Sequence, residues 1–315
     1  MIELHDVSKR FGSHVAVDGI SLSIDVGQVC VLVGTSGCGK STTLRMINRL
    51  IEHSAGEIHI DGQQIRSFNE QTLRRRIGYA IQSIGLFPHW TVARNIACVP
   101  RLLGWSDTDI EARVDELMAL LGLDRAEFAD KYPDQLSGGQ AQRVGVARAL
   151  AADPDILLMD EPFGALDPIT REGLQDELLG IQARLRKTIV FVTHDMDEAL
   201  KLADHIVVMH RGRVVQQGDP EAILEQPADA FVETLVGGRD RGLKRAGLTR
   251  VATMMRAGDT APEVDENPAV SPDDSMRLAI SLMLWHKRDR LAVIDDAGVR
   301  AGTLYLSRLL EAPDE

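Results

Sequence analysis

The sequence predicts an α/β protein whose main domain has a parallel β-sheet and whose C-terminal part is a smaller α/β unit. Three observations lead to this prediction. Short apolar runs of strand length alternate with helix-like stretches over the first two thirds of the chain. The pattern Gly-x-x-x-x-Gly-Lys-Ser, typical of phosphate-binding loops, follows one of these runs. A basic, glycine-rich stretch then precedes a shorter segment with its own helical and strand patterns.

The main domain begins with two strand patterns, residues 2–7 and 15–24, which we expect to be antiparallel. The later apolar runs are uninterrupted, as in parallel strands that are buried on both faces. These runs are residues 29–33, 77–81, 156–160, 188–192 and 205–209. Helical patterns lie between or beside them at residues 40–50, 109–121, 138–151, 168–185 and 196–203. This alternation predicts a layered α/β domain.

Composition and charge argue against several classes of protein. The 315 residues are 44% hydrophobic and 26% charged, which is ordinary for a globular protein of about two domains. The net charge of −12 disfavours nonspecific nucleic-acid binding, which requires a basic face. Cys30, Cys38 and Cys98 have no disulfide-like or metal-like spacing, as expected in a reducing compartment. Neither a signal peptide nor an apolar run of roughly 20 residues is found, so any membrane action would require a partner.

A phosphate-binding loop is predicted between a strand and a helix. Backbone N–H groups of the loop would surround the β- and γ-phosphates, Lys40 would add a cation, and the Ser41 hydroxyl would ligate Mg²⁺. The alternative is a glycine-rich turn before a helix, but the strand, spacing, lysine and serine together favour the phosphate site. The residues expected to contact the nucleotide are Gly34, Thr35, Ser36, Gly37, Cys38, Gly39, Lys40, Ser41 and Thr42.

Polar residues after other strands predict a hydrolytic site. Asp160 ends an apolar strand, where it can hold Mg²⁺ through water, and Glu161 follows as a general base for the attacking water. His194 is expected to reach the γ-phosphate, because the ends of such strands share one crevice. Gln82 is expected to contact Mg²⁺ or the attacking water. Phe11 either stacks on the nucleotide base or packs in the core.

A second anion-binding pattern, LSGGQ at residues 136–140, precedes a helical pattern. Ser137 can cap this helix, and Gly138 and Gly139 leave backbone N–H groups bare, which favours an anion at the helix N-terminus. The chain therefore carries two candidate phosphate cradles, although one nucleotide needs only one.

These motifs together resemble the ATP-binding subunits of ABC transporters. The phosphate-binding loop, Gln82, LSGGQ, LLMDEP, ALD at residues 165–167 and His194 occur in the family's order and spacing. The resemblance covers about residues 1–236. It implies a cassette with a parallel-sheet core, an antiparallel β subdomain and a helical subdomain. Its cofactors would be ATP and Mg²⁺, with the metal held by Ser41, Gln82 and Asp160.

The resemblance also explains the second cradle. It implies a head-to-tail homodimer in which the LSGGQ segment of one copy closes on the ATP held by the other. The residues implied to contact ATP across the dimer are Ser137, Gly138, Gly139, Gln140 and Asp167. Phe11 stands where the family often has tyrosine. The phenylalanine ring can stack on the nucleotide base as a tyrosine ring would.

A narrower resemblance concerns the segment from Gln82 to Asn95, which is similar to that of importers of glycine betaine, choline or carnitine. The family implies that this segment meets the membrane permease subunits, and Leu86, Phe87 and Trp90 suit a docking surface. The alternative is a loop packed on its own domain. The resemblance further implies a peripheral protein on the cytoplasmic face of the inner membrane and a separate substrate-binding protein or domain.

The C-terminal part is predicted as a basic linker, residues 237–250, followed by a unit at 251–315 that resembles a single CBS motif. CBS modules normally pair two motifs, so a single motif predicts pairing with the copy in the dimer partner. Three roles stay open for this tail, namely ligand binding, sensing of ionic strength and dimerisation alone.

Three alternatives to a quaternary-amine importer remain at the level of sequence. The first is an ABC ATPase for another small solute, such as a polyamine. The second is a non-transport ABC ATPase that acts on nucleic acid, which the acidic net charge disfavours. The third is a regulatory module that hardly hydrolyses ATP, which the presence of Glu161 and His194 disfavours.

Overall fold

The computed structural model describes residues 2–81, 85–164, 166–238, 240–259 and 267–310. The chain forms two compact units, Met1–Ile223 and Leu224–Glu315. The division therefore precedes by about a dozen residues the boundary at residue 236 that the sequence suggested. No helix of the described residues has the length and apolar character that crossing a membrane requires.

The strands and helices that the sequence predicts in the first unit are all present among the described residues, together with three strands and five α-helices that it does not predict. The strands are β1 Ile2–Phe11, β2 His14–Ile24, β3 Val29–Gly34, β4 Ala55–Ile60, β5 Gln63–Gln64, β6 Ile77–Ala80, β7 Ile156–Asp160, β8 Thr188–Thr193, β9 His205–His210 and β10 Arg213–Gly218. The helices are α1 Lys40–Ile47, α2 Glu70–Arg76, α3 Val92–Ile96, α4 Cys98–Leu102, α5 Asp107–Leu120, α6 Arg125–Phe128, α7 Gly138–Leu150, α8 Pro168–Leu185, α9 Met196–Leu202 and α10 Pro220–Glu225, the last of which reaches into the second unit. Short 3₁₀ helices lie at Ile65–Ser67 and Pro133–Gln135.

Two sheets build the first unit. The larger has the order β10-β9-β3-β8-β7-β6, in which all neighbours are parallel except β10 and β9. The smaller has the order β2-β1-β4-β5 and is antiparallel. One apolar core joins β1, β2 and β4 of the smaller sheet to α1 and to β3, β7 and β8 of the larger sheet. Burial of this core fixes the position of α1, the helix that follows the phosphate-binding loop.

The register of the larger sheet places four strand ends on one edge. Val33 pairs with Thr193, Val192 pairs with Asp160, and Met159 pairs with Ala80, so β3, β8, β7 and β6 end at nearly the same level. In parallel α/β sheets, ligands bind at this carboxyl edge. The fold therefore places the ends of these four strands side by side along one edge.

The second unit contains the helices α11 Ala230–Val236, α12 Arg241–Leu248, α13 Val251–Met254 and α14 Met276–His286. Its strands are β11 Arg256–Ala257, β12 Ala269–Val270, β13 Arg290–Ile294 and β14 Arg300–Tyr305, followed by a 3₁₀ helix, Leu306–Leu310. The sheet order is β11-β14-β13-β12, and α14 packs on it through Met276, Ala279 and Met283. From β12 onward the order of elements is strand, helix, strand, strand and 3₁₀ helix. Assignment to the CBS type stays a prediction.

Most of the predicted basic linker, residues 237–250, is helical, because α12 spans Arg241–Leu248. Helix α12 packs on α14, with Ala246 against the core of the second unit. Arg241 donates hydrogen bonds to the carbonyls of Leu224 and Glu225 at the end of α10, at 2.5 and 2.9 Å. Arg245 lies 3.1 Å from the Glu225 carboxylate. The basic residues therefore satisfy the C-terminal end of a neighbouring helix, which is the end that attracts cations.

Candidate active site

The phosphate-binding loop is a tight connection between β3 and α1. Gly34 and Gly39 have φ angles of 152° and 108°, a region that other residues rarely adopt. A Cβ on Gly34 would lie 2.1 Å from the Met209 carbonyl oxygen, and one on Gly39 would lie 2.6 Å from that of Ala16. Glycine is therefore required at both positions for the loop to pass this close to neighbouring backbone.

Lys40 lies buried against the loop that precedes it. Its Nζ donates hydrogen bonds to the carbonyls of Gly34 and Thr35 at 2.8 and 3.1 Å. The Cys38 sulfur is also buried, 3.8 Å from Nζ. Burial raises the pKa of the Cys38 thiol, although the nearby Lys40 ammonium acts in the opposite direction. Cys38 is thus a packed thiol beside the loop, and the Lys40 ammonium is held against the first two residues of the loop.

Two of the predicted magnesium ligands lie side by side. The Ser41 hydroxyl donates a 2.7 Å hydrogen bond to Asp160 Oδ1, although α1 and β7 are far apart in sequence. Asp160 is only 1% exposed, and Arg45 Nη2 lies 3.7 Å from its other carboxylate oxygen. A hydroxyl and a carboxylate are hard oxygen donors that fit Mg²⁺, which commonly takes few protein ligands. Gln82, the third predicted ligand, lies outside the described residues.

Glu161 and His194 meet at the sheet edge. Glu161 Oε2 lies 3.5 Å from His194 Nδ1. Glu161 has a φ of 46°, and its backbone N–H donates a 3.0 Å hydrogen bond to the Val192 carbonyl. A left-handed backbone at a residue other than glycine is strained and concentrates at functional sites. This backbone conformation turns the chain directly after β7, so that Glu161 lies next to His194, the residue that follows β8.

A partly buried network supports the segment that carries His194. The Thr193 hydroxyl donates a 2.6 Å hydrogen bond to the Glu198 carboxylate. Arg171 lies 3.7 Å from Asp195 and 3.8 Å from Glu198, and it donates a 3.2 Å hydrogen bond to the Leu166 carbonyl. Burial is the main influence on Glu198 and raises its pKa, against the opposing effects of Thr193 and Arg171. The network connects the residues on both sides of His194 to the start of α8.

Sequence reasoning missed Arg45, Arg171 and Glu198. A signal for Glu198 existed, because Asp195 followed three residues later by a glutamate is a capping pattern. The Asp195 carboxylate does cap α9, accepting hydrogen bonds from the N–H groups of Asp197 and Glu198. No local pattern predicts Arg45 or Arg171, because their partners come from distant strands.

The LSGGQ segment forms the N-terminus of α7. Ser137 Oγ accepts a hydrogen bond from the Gln140 N–H at 3.3 Å, and Gln140 Oε1 accepts one from the Ser137 N–H at 2.9 Å. Ser137 and Gly138 are exposed, whereas Gly139 is buried. A Cβ on Gly139 would lie 2.4 Å from Thr170 Cγ2, so the segment lies against the start of α8.

Asp167 caps α8 beside this segment. Its carboxylate accepts a 3.1 Å hydrogen bond from the Thr170 N–H. Hydrogen bonds from the side chain of Thr170 and then from its backbone N–H lower the pKa of Asp167. The exposed carboxylate therefore keeps its negative charge beside the start of α8. The structure thus groups LSGGQ with Asp167.

Phe11 is the last residue of β1 and is 49% exposed. Lys9 Nζ lies 4.7 Å from the centre of its ring, within the range of a cation–π contact. Core packing, one of the two sequence hypotheses for Phe11, does not describe this ring. The exposed face leaves stacking on a base as its predicted role.

The segment around Phe87 is an anchored loop with an aromatic surface. Phe87 is 38% exposed, and its ring centre lies 4.4 Å from that of the half-buried Trp90. The Asn95 side chain is fully buried beneath them. It accepts a hydrogen bond from the Phe87 N–H and donates to the carbonyls of Phe87, Trp90 and Thr91, at 2.8–3.2 Å. The loop is therefore packed on its own domain at its base and exposed at Phe87.

Comparison with known proteins places these features in a family. The family model described as ABC transporter matches residues 17–164. The chain is 53% identical to the glycine betaine uptake system ATP-binding protein YehX of Escherichia coli, over 98% of this chain and 99% of that protein. It is 49% identical to the glycine betaine/carnitine/choline transport ATP-binding protein OpuCA of Bacillus subtilis, over 96% of this chain and 77% of that protein.

The chain belongs to the ABC transporter ATP-binding proteins. It is an ATPase of the ABC class, in which ATP hydrolysis is coupled to transport. Among solved structures it resembles the dimeric ABC transporter cassette MJ0796, with a TM-score of 0.64 and 34% identity over 70% of this chain and 99% of that one. The same cassette bound to ADP and Pi, in a post-hydrolysis dimer, gives a TM-score of 0.63 and 33% identity over the same shares. This ABC cassette therefore has the fold and class that its motifs predict.

Proposed function

We propose that this ABC ATPase powers import of a quaternary-amine osmoprotectant of the glycine betaine, choline or carnitine type, through separate membrane subunits. The observation that carries the proposal is the 53% identity to a glycine betaine uptake ATPase over nearly the whole of both chains. Relatives that serve carnitine and choline transport are similar over almost all of this chain too. Because the cargo would be bound by other subunits, no residue of this chain is proposed to touch it.

We propose that ATP lies with its phosphates in the loop from Gly34 to Thr42 and its base on Phe11. The N-terminus of α1 and the Lys40 ammonium attract the phosphates. Mg²⁺ would be held by Ser41, Asp160 and Gln82, and when bound it would neutralise charge on the phosphates. The hydrogen bond between Ser41 and Asp160 supports this assignment, because it shows that both oxygens reach one point.

Hydrolysis in this proposal uses Glu161 as the base. The attacking water passes one proton to the Glu161 carboxylate while its oxygen forms a bond to the γ-phosphorus, and the bond to the β-phosphate oxygen breaks to give ADP and phosphate. His194 would hold the γ-phosphate oxygens in line with the water. The 3.5 Å approach of the two side chains supports a shared task.

The proposed assembly is a head-to-tail homodimer at the cytoplasmic face of the inner membrane. Ser137, Gly138, Gly139, Gln140 and Asp167 of each copy would contact the ATP of the other. This explains why the chain exposes a second helix N-terminus, at α7, with Asp167 beside it. The segment from Gln82 to Asn95 would receive the permease subunits, and a separate substrate-binding protein or domain would deliver the cargo.

The cargo is tested by uptake of labelled glycine betaine, choline and putrescine at low and high osmolarity. The cells would lack other betaine and choline importers and would carry the complete transport system with or without this ATPase. We expect betaine or choline uptake to need the ATPase and to rise with osmolarity, and putrescine uptake to be unaffected. Loss of putrescine uptake alone would refute the osmoprotectant proposal and favour a polyamine importer.

A further inference from the structure

Two histidines and two glutamates form a square on the outer face of the antiparallel sheet. On β1, Ile2 and Leu4 point into the core, so Glu3 and His5 lie on the opposite face. On β4, His59 lies between the buried Ile58 and Ile60. Across the two strands, Glu3 lies opposite His59 and His5 lies opposite Glu57.

The side chains of this square approach one another closely. One ligand atom each from Glu3, His5 and His59 lies within 4.8 Å of the other two. His5 Nε2 is 3.4 Å from Glu3 Oε2, and His59 Nε2 is 3.5 Å from Glu57 Oε2. The two imidazole rings meet edge to face, with centres 5.5 Å apart. Three potential metal ligands therefore converge, and a fourth side chain, the carboxylate of Glu57, contacts one of them.

His59 gives an independent indication that the square is incomplete. Its Nδ1 is buried and has no hydrogen-bond partner among the described residues. A buried polar atom without a partner is costly, and few remain unsatisfied in folded proteins. The ring can offer one nitrogen to a metal and the other to Glu57, which is how carboxylates commonly orient a ligating histidine.

We propose that Glu3, His5 and His59 bind a divalent transition metal, for which Zn²⁺ is the probe, with Glu57 orienting His59. Tetrahedral Zn²⁺ has bonds of about 2.0–2.1 Å, so its ligand atoms lie about 3.4 Å apart. The distance between Glu3 Oε2 and His5 Nε2, 3.4 Å, already has this value. The ligand atom of His59 lies within 4.8 Å of the other two, and small side-chain rotations would bring it to the same spacing. Two imidazoles and a carboxylate favour Zn²⁺, Ni²⁺ or Cu²⁺ over Mg²⁺, which prefers oxygen.

The proposed metal site shares no residue with the ATP site. A metal bound there would stabilise the antiparallel sheet. A metal held by Glu3, His5 and His59 crosslinks residues of β1 and β4 that are at least 54 positions apart in sequence. Because such a ligand binds the folded chain and not the unfolded one, it raises the free energy of unfolding by RT ln(1 + [Zn²⁺]/Kd). The proposal does not depend on the transported solute or on ATP hydrolysis.

The test is titration of Zn²⁺ into the full-length protein, purified without a histidine tag, in excess Mg²⁺, by calorimetry and by thermal unfolding. We expect one Zn²⁺ per chain and a higher Tm with Zn²⁺. His5→Gln combined with His59→Gln should abolish both effects, and Glu57→Gln should weaken binding about tenfold or more. His286→Gln, at an exposed histidine of α14, and Cys98→Ser are the matched controls and should bind as the wild type does.

Two results would overturn the proposal. One is an absence of stoichiometric Zn²⁺ binding by the wild type in Mg²⁺. The other is binding that persists in the double histidine variant, since the metal would then lie elsewhere. Circular dichroism and ATP binding of the double variant establish that it is folded, so a loss of Zn²⁺ binding is attributable to the ligands.

Discussion

Glu161 leaves β7 in a left-handed backbone conformation, which costs about 1–3 kcal/mol for a residue other than glycine. The hydrogen bond from its N–H to Val192 holds the turn in place. The turn sets the carboxylate beside His194, which is 62% exposed and so accessible to a ligand. The position of Glu161 directly after β7 was predictable from the sequence DEP that follows a buried strand. Its backbone strain was not, because it depends on the neighbouring strand.

At this residue, Glu161→Gln removes a base while keeping the size and the hydrogen-bonding ends of the side chain. We expect ATP hydrolysis to fall at least about a hundredfold, as is typical for loss of a general base, with ATP affinity nearly unchanged. The measurement is steady-state ATPase activity together with equilibrium ATP binding. Glu172→Gln, an exposed carboxylate of α8, is the control and should retain activity. Hydrolysis near the wild-type rate in Glu161→Gln would remove Glu161 from the proposed role.

Among the elements, the buried parallel strands were the most predictable. The predicted segments 156–160 and 168–185 coincide with β7 and α8, because a buried strand is an uninterrupted apolar run and a Pro after a capping Asp starts a helix. Helix α12 was not predicted, because its glycines and basic residues are typical of linkers. Its stability depends on contacts with α14 and with the end of α10, and such tertiary contacts are not specified by the local composition.

The docking loop gives a prediction for Asn95. Asn95→Ala removes the four hydrogen bonds that hold the loop around Phe87, and each buried group left without a partner costs about 1–3 kcal/mol. We expect the Tm to fall and uptake to be lost, while the purified cassette still hydrolyses ATP. Arg101→Ala, at an exposed residue of α4, should leave both unchanged. Wild-type uptake by Asn95→Ala would show that the loop does not transmit the ATPase cycle.

Helix α9 gives a prediction about pH through Glu198. Its pKa is raised, so the folded chain binds this proton more tightly than the unfolded chain, and stability is lost as pH rises from about 4.3 through the raised value. Glu198→Gln removes this loss and keeps an acceptor for Thr193. The Tm difference, variant minus wild type, should therefore become more positive from about pH 4.5 to about pH 8. A Tm difference that is constant with pH would contradict the raised pKa of Glu198.

For the whole molecule, the proposed dimer is tested at Gly138. A Cβ there would meet nothing nearer than Leu166 Cδ2 at 3.8 Å, and an acid in the first turn of α7 suits the helix dipole. Gly138→Asp should thus fold normally, yet repel the phosphates of ATP held by a second copy. In the Glu161→Gln background we expect ATP to drive dimerisation, measured by sedimentation, and Gly138→Asp to prevent it. Gly180→Asp, on α8 with open space around it, is the control.

The central claim is that ATP hydrolysis by this chain drives osmoprotectant import. Its most direct test is the initial rate of labelled glycine betaine uptake in cells whose only copy of this ATPase is Glu161→Gln, made at the wild-type level. We expect uptake to fall to the level of cells without the ATPase, at both low and high osmolarity. Uptake at the wild-type rate would contradict the account, because import would then proceed without the hydrolysis assigned to this site.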